Sequence, residues 1–276
     1  MSAAVKKPIR CACIQIGAGE DWEKNFKSVR QKISAAIRRG ARLIALPENF
    51  CYRGGSSNLA RLARESTPGA VRELAQIARR HRVAILCGSV IEAAAQKGKF
   101  ANTSILISEK GHVAARYRKI HLFDVALKNL KVQESRHIVP GNRVVTGKIF
   151  GIRAGLTICY DLRFPELFRR LTGRGSRIIF VPANFTETTG KAHWEILLRA
   201  RAIENQVFIV APAQVGVNRA TGIRSFGTSL VVDPWGKILA RGSRTREQVI
   251  LADLNPGYLA GLRRSFPVLT HCHFKS

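Results

Sequence analysis

The sequence of 276 residues predicts a single α/β domain with two similar halves, spanning residues 1–276. Short apolar runs alternate along the chain with segments whose apolar residues recur every three or four positions, which indicates strands followed by amphipathic helices. Hydrophobic residues make up 46% of the chain and charged residues 23%, a composition typical of a protein with a buried core. The sequence contains no internal repeat and no low-complexity linker, so we expect one domain.

The first half begins with a strand, a helix and a second strand. The apolar run IRCACIQI predicts a strand because Gly17 follows it. Apolar residues then recur with helical spacing from Trp22 to Ile37, and Gly40 ends this amphipathic helix. The second strand stops at Pro47, and a later helix has a proline near its start. The predicted elements are strand 9–16, helix 21–39, strand 42–46, helix 68–81 and strands 83–90, 102–108 and 111–117.

The second half repeats this alternation. Pro165 begins a helix, and the turn DPWG between two apolar runs predicts a β-hairpin. Helices that cover only one face of each sheet would force two sheets to pack together, and the alternation alone leaves this arrangement open. The predicted elements are strand 152–158, helix 165–171, strand 177–181, helix 192–205, strand 207–213, hairpin strands 228–232 and 237–240, and strand 249–253.

The charge of the chain raises the hypothesis of a basic nucleic-acid-binding protein. Its 46 Lys and Arg residues against 18 Asp and Glu give a net charge of +28, which attracts nucleic acids at low salt. The basic residues are spread in short pairs, and no zinc-finger, RRM or basic-zipper signature is present. We therefore expect solvated basic surfaces and only non-specific nucleic-acid binding at low salt.

The sequence also bears on compartment and cofactors. No apolar run approaches the roughly 18–20 residues of a membrane span, and MSAAVKKPIR has no signal-peptide core, so we expect a cytoplasmic protein that does not bind a membrane. The six scattered cysteines are typical of free thiols in a reducing compartment. His271, Cys272 and His273 lie too close together, without distant partners, to indicate a zinc site. We expect no metal ion and no organic cofactor.

Three polar residues follow apolar strands, at the edge where sites form in α/β sheets. Glu48 lies in LIALPENF, Lys119 in ARYRKIHLFD and Cys159 in AGLTICYDLRFPEL. Taken singly, Glu48 fits a surface acid, Lys119 fits one of many lysines, and Cys159 fits a buried inert thiol. The motifs GxSxG, GxxxxGK[ST], GxGxxG and HExxH are absent, which argues against serine hydrolases, P-loop proteins, dinucleotide-binding enzymes and zinc proteases.

Taken together, these three residues supply a complete set of groups for nucleophilic catalysis. Cys159 precedes a helix that starts with a proline, and a helix N-terminus stabilises a thiolate. A nucleophilic thiol needs a base, which Glu48 provides, and the oxyanion that forms needs a positive group, which Lys119 provides. The sequence therefore predicts a candidate catalytic site that contains no histidine.

The motifs around these residues resemble those of the nitrilase superfamily of carbon–nitrogen hydrolases. The resemblance rests on PENF, YRKIHLFD and ICYDLRFPEL, and it continues through VPANFTETTGKAHWE and GTSLVVDPWG nearly from end to end. The chain is most similar to the amidase branch that includes omega-amidase and deaminated glutathione amidase. The resemblance implies a four-layer α-β-β-α sandwich of nitrilase type, and it implies a homodimer or a higher homo-oligomer because such sandwiches usually pair.

The resemblance also implies a mechanism, the hydrolysis of an amide through a cysteine thioester. In this scheme Glu48 takes the proton of Cys159, whose sulfur attacks the amide carbonyl. Lys119 and the backbone N–H of Tyr160 hold the oxyanion. Glu134, in KVQESRHIVPG, matches a second carboxylate that holds Lys119 and the substrate nitrogen, although by its sequence context alone it fits a surface loop.

The expected substrate is a small carboxylic acid with a distal amide, such as alpha-ketoglutaramate, succinamate or deaminated glutathione. Arg163 carries a planar donor fork suited to a carboxylate, or it forms a salt bridge to Asp161 or Glu166. Two alternatives within the superfamily are a true nitrilase and a carbamoyl-amide hydrolase. The other residues in loops expected to line the substrate pocket are Tyr52, Phe185 and Thr186.

Overall fold

Two six-stranded β-sheets form the centre of the computed structural model, which describes residues 7–128 and 130–273. The strands are β1 Ile9–Gln15, β2 Leu43–Ala45, β3 Ala84–Ala93, β4 Phe100–Ile107, β5 Val113–Arg118, β6 Asp124–Leu127, β7 Leu130–Gln133, β8 Thr146–Ile149, β9 Ile152–Leu156, β10 Ile178–Phe180, β11 Phe208–Ala211, β12 Leu230–Val232, β13 Ile238–Arg241 and β14 Gln248–Leu254. The helices are α1 Trp22–Arg38, α2 Leu59–Arg61, α3 Thr67–His81, α4 Pro165–Gly173, α5 Glu187–Asn205 and α6 Pro256–Ser265, with a π-helical segment Leu62–Ser66 between α2 and α3.

The two sheets have matching topology. In the first sheet, β1, β2 and β3 run parallel, and β4 and β5 extend the sheet with antiparallel pairing. In the second sheet, β9, β10 and β11 run parallel, and β12 and β13 extend it in the same way. Strand β14 pairs antiparallel with β1, and β8 pairs antiparallel with β9. The predicted similarity of the two halves is therefore confirmed.

Helices cover one face of each sheet, and the other faces pack together. Val29 of α1 and Leu74 of α3 pack in one core with Ile14, on the outer face of β1. Because neighbouring side chains of a strand point to opposite faces, Cys13 belongs to a second core, shared with Leu156 of β9. Helices α4 and α5 contact β9 and β11 of the second sheet. The result is the α-β-β-α sandwich that the resemblance implied.

The carboxyl ends of the parallel strands meet at one edge of the sandwich. Beyond β1 and β11, Ile16 and Gln214 form a parallel bridge, and Val215 N donates to Ile16 O at 2.8 Å. The Gln214 side chain donates to the backbone oxygen of Glu48, which follows β2. This edge is where the polar residues singled out in the sequence lie.

Most predicted elements are present, with shifted ends. Helix α1 begins where Asp21 accepts a hydrogen bond from Lys24 N at 2.9 Å, a typical N-cap. Helix α5 begins at Glu187, five residues before the predicted start, and Gly190 N donates to Thr186 O in its first turn. Strands β6, β7 and β8, the short helix α2 and helix α6 were not predicted. In the described part of the chain, no helix is long and apolar enough to cross a membrane.

Candidate active site

Glu48, Lys119 and Cys159 converge at the edge where the two sheets meet. They follow β2, β5 and β9 respectively, each within three residues of the strand end. Lys119 Nζ lies 3.1 Å from Glu48 Oε1, and the Cys159 thiol donates a hydrogen bond to the Glu48 carboxylate. All three are nearly buried, with exposed fractions of 3%, 2% and 8%. The base, the cation and the thiol postulated from the sequence thus lie in mutual contact.

A second carboxylate lies on the other side of the lysine. Glu134, in the short 3₁₀ helix Glu134–Arg136 after β7, places Oε2 2.8 Å from Lys119 Nζ. The Asn102 side chain donates to Glu48 Oε1 at 3.0 Å and to Glu134 Oε1 at 3.1 Å. Phe123 N donates to Glu134 Oε2 at 2.8 Å. The Lys119 ammonium is therefore held between two carboxylates, which Asn102 bridges.

Backbone and amide groups fix the position of Glu48. Asn184 N donates to Glu48 Oε2 at 2.8 Å, and Gln214 Nε2 donates to Glu48 O at 2.9 Å. Asn184 is a polar residue just past β10, so the rule that identified Cys159 would also have identified it. Asn102 lies inside β4, where a polar residue gives no such signal.

Cys159 lies in a strained turn that Asp161 holds in place. Its φ is 50°, a left-handed conformation that side-chain-bearing residues rarely adopt and that is frequent at functional sites. Cys159 N donates to Pro182 O at 2.9 Å. The fully buried Asp161 accepts hydrogen bonds from Ile158 N at 2.8 Å and from the Tyr117 hydroxyl at 2.7 Å. These contacts fix the start of the 3₁₀ turn Cys159–Arg163 against both sheets.

The charges of the site keep the resting thiol protonated. Burial and the negative charge of Glu48 raise the pKa of Cys159 well above its ordinary value, and the nearby Lys119 only partly offsets them. The expected stabilisation of a resting thiolate by the α4 N-terminus is therefore wrong, because those two effects outweigh it. The thiol instead lies ready to lose its proton to Glu48, the carboxylate to which it is hydrogen-bonded.

The lysine and the second carboxylate stabilise each other's charged forms. Burial alone would lower the pKa of Lys119, but Glu134 and Glu48 outweigh it and raise that pKa well above the ordinary value. Burial alone would raise the pKa of Glu134, but the Lys119 ammonium and the hydrogen bonds from Phe123 N and Asn102 hold it below the ordinary value. A permanent positive charge therefore lies next to Cys159, where an oxyanion would need it.

A cavity of about 290 Å³ adjoins this cluster, and Glu48, Lys119 and Cys159 lie behind its lining rather than in it. Its lining includes Glu134, Asn102 and Asn184, which contact the buried residues directly, and also Tyr52 and Arg53. Tyr52, predicted to line the pocket, is held there because its hydroxyl donates to Gly55 O and accepts from Asn58 Nδ2, both at 3.0 Å. A small molecule in this cavity would reach the bridging amide and the second carboxylate.

Other predicted substrate-binding residues lie outside this cavity lining. Arg163 Nη1 is 3.1 Å from His193 Nδ1, and its guanidinium lies 5.2 Å from the centre of the Phe185 ring. Among the described residues, Arg163 forms no ion pair with Asp161 or Glu166 within 4.0 Å. Phe185 and Thr186 are held by other contacts, and so is the ring of Tyr160, a residue predicted to act through its backbone N–H. Phe185 packs on Trp194, Thr186 Oγ1 contacts Thr189 Oγ1, and the Tyr160 ring packs edge-on against Phe123.

The structure places no candidate metal site among residues 7–128 and 130–273. No group of three or more His, Cys, Asp or Glu side chains there is arranged to hold a metal ion. His271, Cys272 and His273 lie on the exposed surface near the end of the described residues.

Comparison with known sequences identifies similar proteins over nearly the whole chain. The family model for carbon-nitrogen hydrolases matches residues 10–264. The chain is 38% identical to a deaminated glutathione amidase of Synechocystis, over 96% of this chain and 98% of that protein. It is 35% identical to the human omega-amidase NIT2, over 94% of this chain and 93% of that protein.

Solved structures share the fold. The C. elegans NitFhit protein superposes with a TM-score of 0.91 at 33% identity, covering 97% of this chain and 66% of that longer protein. The amidase of Nesterenkonia sp. AN1 superposes with a TM-score of 0.79 at 26% identity, covering 96% of this chain and 99% of that one. In a variant of that amidase, the acetamide moiety of fluoroacetamide is attached covalently to the active-site cysteine.

Proposed function

Because this chain belongs to the carbon–nitrogen hydrolase family, we propose that it hydrolyses the distal amide of a small carboxylic acid to the acid and ammonia. The observation that carries the proposal is the Cys159 thiol, hydrogen-bonded to Glu48 beside the charged ammonium of Lys119. The substrate class is supported by the names of the relatives, a deaminated glutathione amidase and an omega-amidase.

The first step forms a tetrahedral adduct. Glu48 accepts the thiol proton, and the sulfur of Cys159 attacks the amide carbonyl carbon while the carbonyl π electrons move to oxygen. The oxyanion is stabilised by the Lys119 ammonium and by the backbone N–H of Tyr160. Because the ammonium is already charged and fixed between Glu48 and Glu134, little reorganisation is needed as charge develops.

The second and third steps release ammonia and then the acid. Protonated Glu48 gives its proton to the amide nitrogen, the C–N bond breaks, and ammonia leaves a thioester on Cys159. Glu48 then takes a proton from water, whose oxygen attacks the thioester carbon. The C–S bond breaks, the acid leaves, and the thiolate regains its proton from Glu48. The only co-reactant is water, and the site returns to its starting state.

Glu134 and Asn102 position the lysine and the leaving group. Glu134 forms the shorter of the two Lys119 contacts, at 2.8 Å, and therefore fixes the ammonium independently of the proton transfers at Glu48. Both residues line the cavity, so an amide NH₂ group bound there can donate to Glu134. This arrangement orients the carbonyl carbon towards Cys159.

We also propose that the protein forms a homodimer through an apolar patch made by Ile196, Ile203, Trp235 and Phe266. Ile196 and Ile203 lie seven residues apart on one face of α5 and are 69% and 48% exposed. Trp235, 60% exposed, packs on Phe266 at 6.1 Å, and its neighbour Gly236 adjoins Ile203. Exposed apolar clusters of this kind are typical of interfaces between subunits. Ile196→Asp should shift the sedimentation coefficient to that of a monomer, and an unchanged oligomer would contradict this interface.

We place the protein in the cytoplasm, as its thiols suggest. Cys11, Cys13, Cys51 and Cys87 are buried free thiols in the core, a pattern typical of reducing compartments. Cell fractionation with a cytoplasmic and a membrane marker tests this placement, and recovery of the protein with the membrane marker would contradict it.

Ammonia release from a panel of amides and nitriles tests the proposed reaction. We expect turnover of succinamate and alpha-ketoglutaramate, much slower turnover of the matching nitriles, and none by Cys159→Ala. The control Cys272→Ser changes a thiol on the exposed surface and should retain full activity. Mass spectrometry of the unaltered protein, quenched with acid during turnover, should detect an adduct of substrate mass less ammonia on Cys159. Turnover by Cys159→Ala, or nitriles preferred over amides, would contradict the proposal.

A further inference from the structure

The active-site cavity contains a buried arginine that the proposed reaction does not use. Arg53 is 4% exposed and lies five residues after Glu48. Its Nε donates to Ala18 O at 2.9 Å, its Nη2 donates to Val215 O at 2.8 Å, and its Nη1 donates to Ser225 Oγ. Every one of these acceptors is neutral.

The positive charge of Arg53 is not compensated within the described residues. No carboxylate there lies within 4.0 Å of its guanidinium, whereas the similarly buried Arg201 forms an ion pair with Glu204 at 3.0 Å. Burial lowers the pKa of Arg53 to about 10, well above neutral pH, so the side chain stays charged. An unpaired buried charge is costly, and in proteins such charges are usually balanced by a partner or a ligand.

The location of Arg53 connects this charge to the catalytic groups. Arg53 lines the 290 Å³ cavity together with Glu134 and Asn184. Its Nη1 lies 3.5 Å from Asn184 Oδ1, and the backbone N–H of Asn184 donates to Glu48. The cavity therefore has the Lys119-bound Glu134 in one part of its lining and an unpaired cation in another. Arg53 also lines a separate cavity of about 450 Å³, together with Val215 and Gly216.

We propose that Arg53 binds the carboxylate of the substrate while the distal amide lies at Cys159. This inference rests on the proposed amidase function and assigns its carboxylate specificity to one residue. A guanidinium has five N–H groups. Among the described residues, four of these are directed at Ala18 O, Val215 O, Ser225 Oγ and Asn184 Oδ1, which leaves one N–H of Nη2 for a carboxylate oxygen.

The geometry favours Arg53 over Arg163 for this role. Arg163 is outside the lining of the cavity and contacts His193 and two aromatic rings. Arg163 is also less buried than Arg53, so a carboxylate there would interact in a more screened environment. The two arginines therefore provide a direct comparison between a cavity site and a peripheral site.

The experiment compares succinamate with butyramide, which has the same four-carbon chain but no charge. We expect Arg53→Met to lower the ratio of kcat/KM for succinamate to that for butyramide at least tenfold, mainly through the KM of succinamate. Arg53→Lys, which keeps the charge but loses the donor fork, should lower the ratio less. Arg163→Met should leave the ratio within about twofold, because a peripheral charge contributes little through screening solvent.

Arg263→Met is the matched control for removing a partly buried guanidinium. Within residues 7–128 and 130–273, Arg263 donates only to the backbone oxygens Gln206 O and Ser176 O, and burial likewise lowers its pKa to about 10. It does not line the active-site cavity, so its loss should not change the substrate ratio. If the Arg53→Met protein does not fold, the ratio of kcat/KM for succinamate to that for butyramide, measured on Arg53→Lys protein, tests the inference instead. Equal losses of kcat/KM for both amides would show that Arg53 only supports the fold, and would overturn the inference.

A binding measurement separates this inference from the proposed reaction. Calorimetry on Cys159→Ala protein should give tighter binding of succinamate than of butyramide, and adding Arg53→Met should remove the difference. This result is independent of turnover, so it tests Arg53 even if neither amide is hydrolysed, which would overturn the amidase proposal alone. Equal binding of the two amides by Cys159→Ala protein would overturn the assignment of Arg53.

Discussion

The Tyr117 hydroxyl donates a 2.7 Å hydrogen bond to the Asp161 carboxylate, and this bond connects the strand that leads to Lys119 with the turn that begins at Cys159. Both side chains are fully buried. The same carboxylate lies 2.7 Å from His121 Nδ1 and accepts from His121 N at 3.1 Å, so it holds residues on both sides of Lys119. Asp161 thus sets the relative position of the proposed nucleophile and the proposed oxyanion-binding ammonium.

Tyr117→Phe should therefore affect both stability and turnover. The substitution removes the bond to Asp161 and the bond that the hydroxyl accepts from Ile120 N at 3.2 Å. Loss of the bond to the buried carboxylate alone costs about 1.5–3 kcal/mol in the free energy of unfolding. We expect that loss in urea denaturation, together with a decrease of about tenfold in kcat, because misplaced catalytic groups react slowly. Tyr258→Phe, at a 42% exposed tyrosine, is the control and should change neither quantity. A stability loss with unchanged kcat would show that Asp161 supports only the fold.

The order of strands and helices followed from apolar periodicity, but the exceptions have physical reasons. Strands β6 and β7 form a mostly exposed hairpin whose short sequence, DVAL and LKVQ, does not bury one consistent face. Asn255 is the N-cap of helix α6, because its side chain accepts hydrogen bonds from Gly257 N and Tyr258 N, and the proline that follows is typical of a first helical position. The sequence therefore does carry a signal for the start of this helix.

From residue patterns alone, the site was predictable only where polar residues follow strands. Glu48, Lys119 and Cys159 occupy such positions, and Asn184 does too, whereas Glu134 was indicated only by the family resemblance. Asn102 and Arg53 could not be found in this way, since one lies inside a strand and the other in a loop rich in glycine and serine. Their roles arise from contacts with residues more than 30 positions distant, which only the folded chain brings together.

Gly88 controls the spacing of the strands beside Glu48, and this can be tested. A Cβ atom at Gly88 would lie 1.8 Å from Leu46 O and 2.6 Å from Pro47 O, in the segment that leads into Glu48. We expect Gly88→Ala to push this segment away, to cost at least about 1–3 kcal/mol of stability, and to lower kcat. Circular dichroism melting and ammonia release measure the two effects.

Gly69→Ala is the control for that substitution. Gly69 lies in the first turns of α3, and a Cβ there would meet no atom within 4 Å. Because alanine favours a helix more than glycine does, this variant should gain up to about 0.5–1 kcal/mol of stability. Equal behaviour of Gly88→Ala and Gly69→Ala would show that the close approach at Gly88 does not constrain the site.

Buried thiols should make the fold sensitive to alkaline pH. Burial raises the pKa values of Cys11, Cys13, Cys51, Cys87 and Cys159 above the ordinary value of 9.0. A group whose pKa is raised on folding adds stability below its unfolded pKa and loses it as pH rises towards the folded pKa. We therefore expect the free energy of unfolding to fall above about pH 9, by up to about 1.4 kcal/mol per thiol and pH unit.

Urea denaturation in the presence of reductant, from about pH 8 to about pH 10.5, measures this slope. In Cys87→Ala protein, one of the titrating thiols is absent. The decrease in the free energy of unfolding per pH unit should therefore be smaller by the contribution of that one thiol. The control Cys272→Ser changes a thiol on the exposed surface and should leave the slope unaltered. A free energy of unfolding that stays constant up to about pH 10 would contradict the effect of the buried thiols.

The net charge of +28 provides the test between an enzyme and a nucleic-acid-binding protein. Such a charge draws the protein onto DNA at about 20 mM salt whatever its function, because binding releases counterions from the phosphates. We expect this affinity to become negligible near 200 mM salt, with no sequence preference.

Hydrolysis of the uncharged butyramide should change little over the same range, since Glu48, Lys119 and Cys159 are buried and shielded from screening ions. Succinamate should lose some kcat/KM as its electrostatic attraction weakens. Sequence-selective DNA binding at about 200 mM salt, together with no ammonia from any amide, would instead favour the nucleic-acid-binding protein.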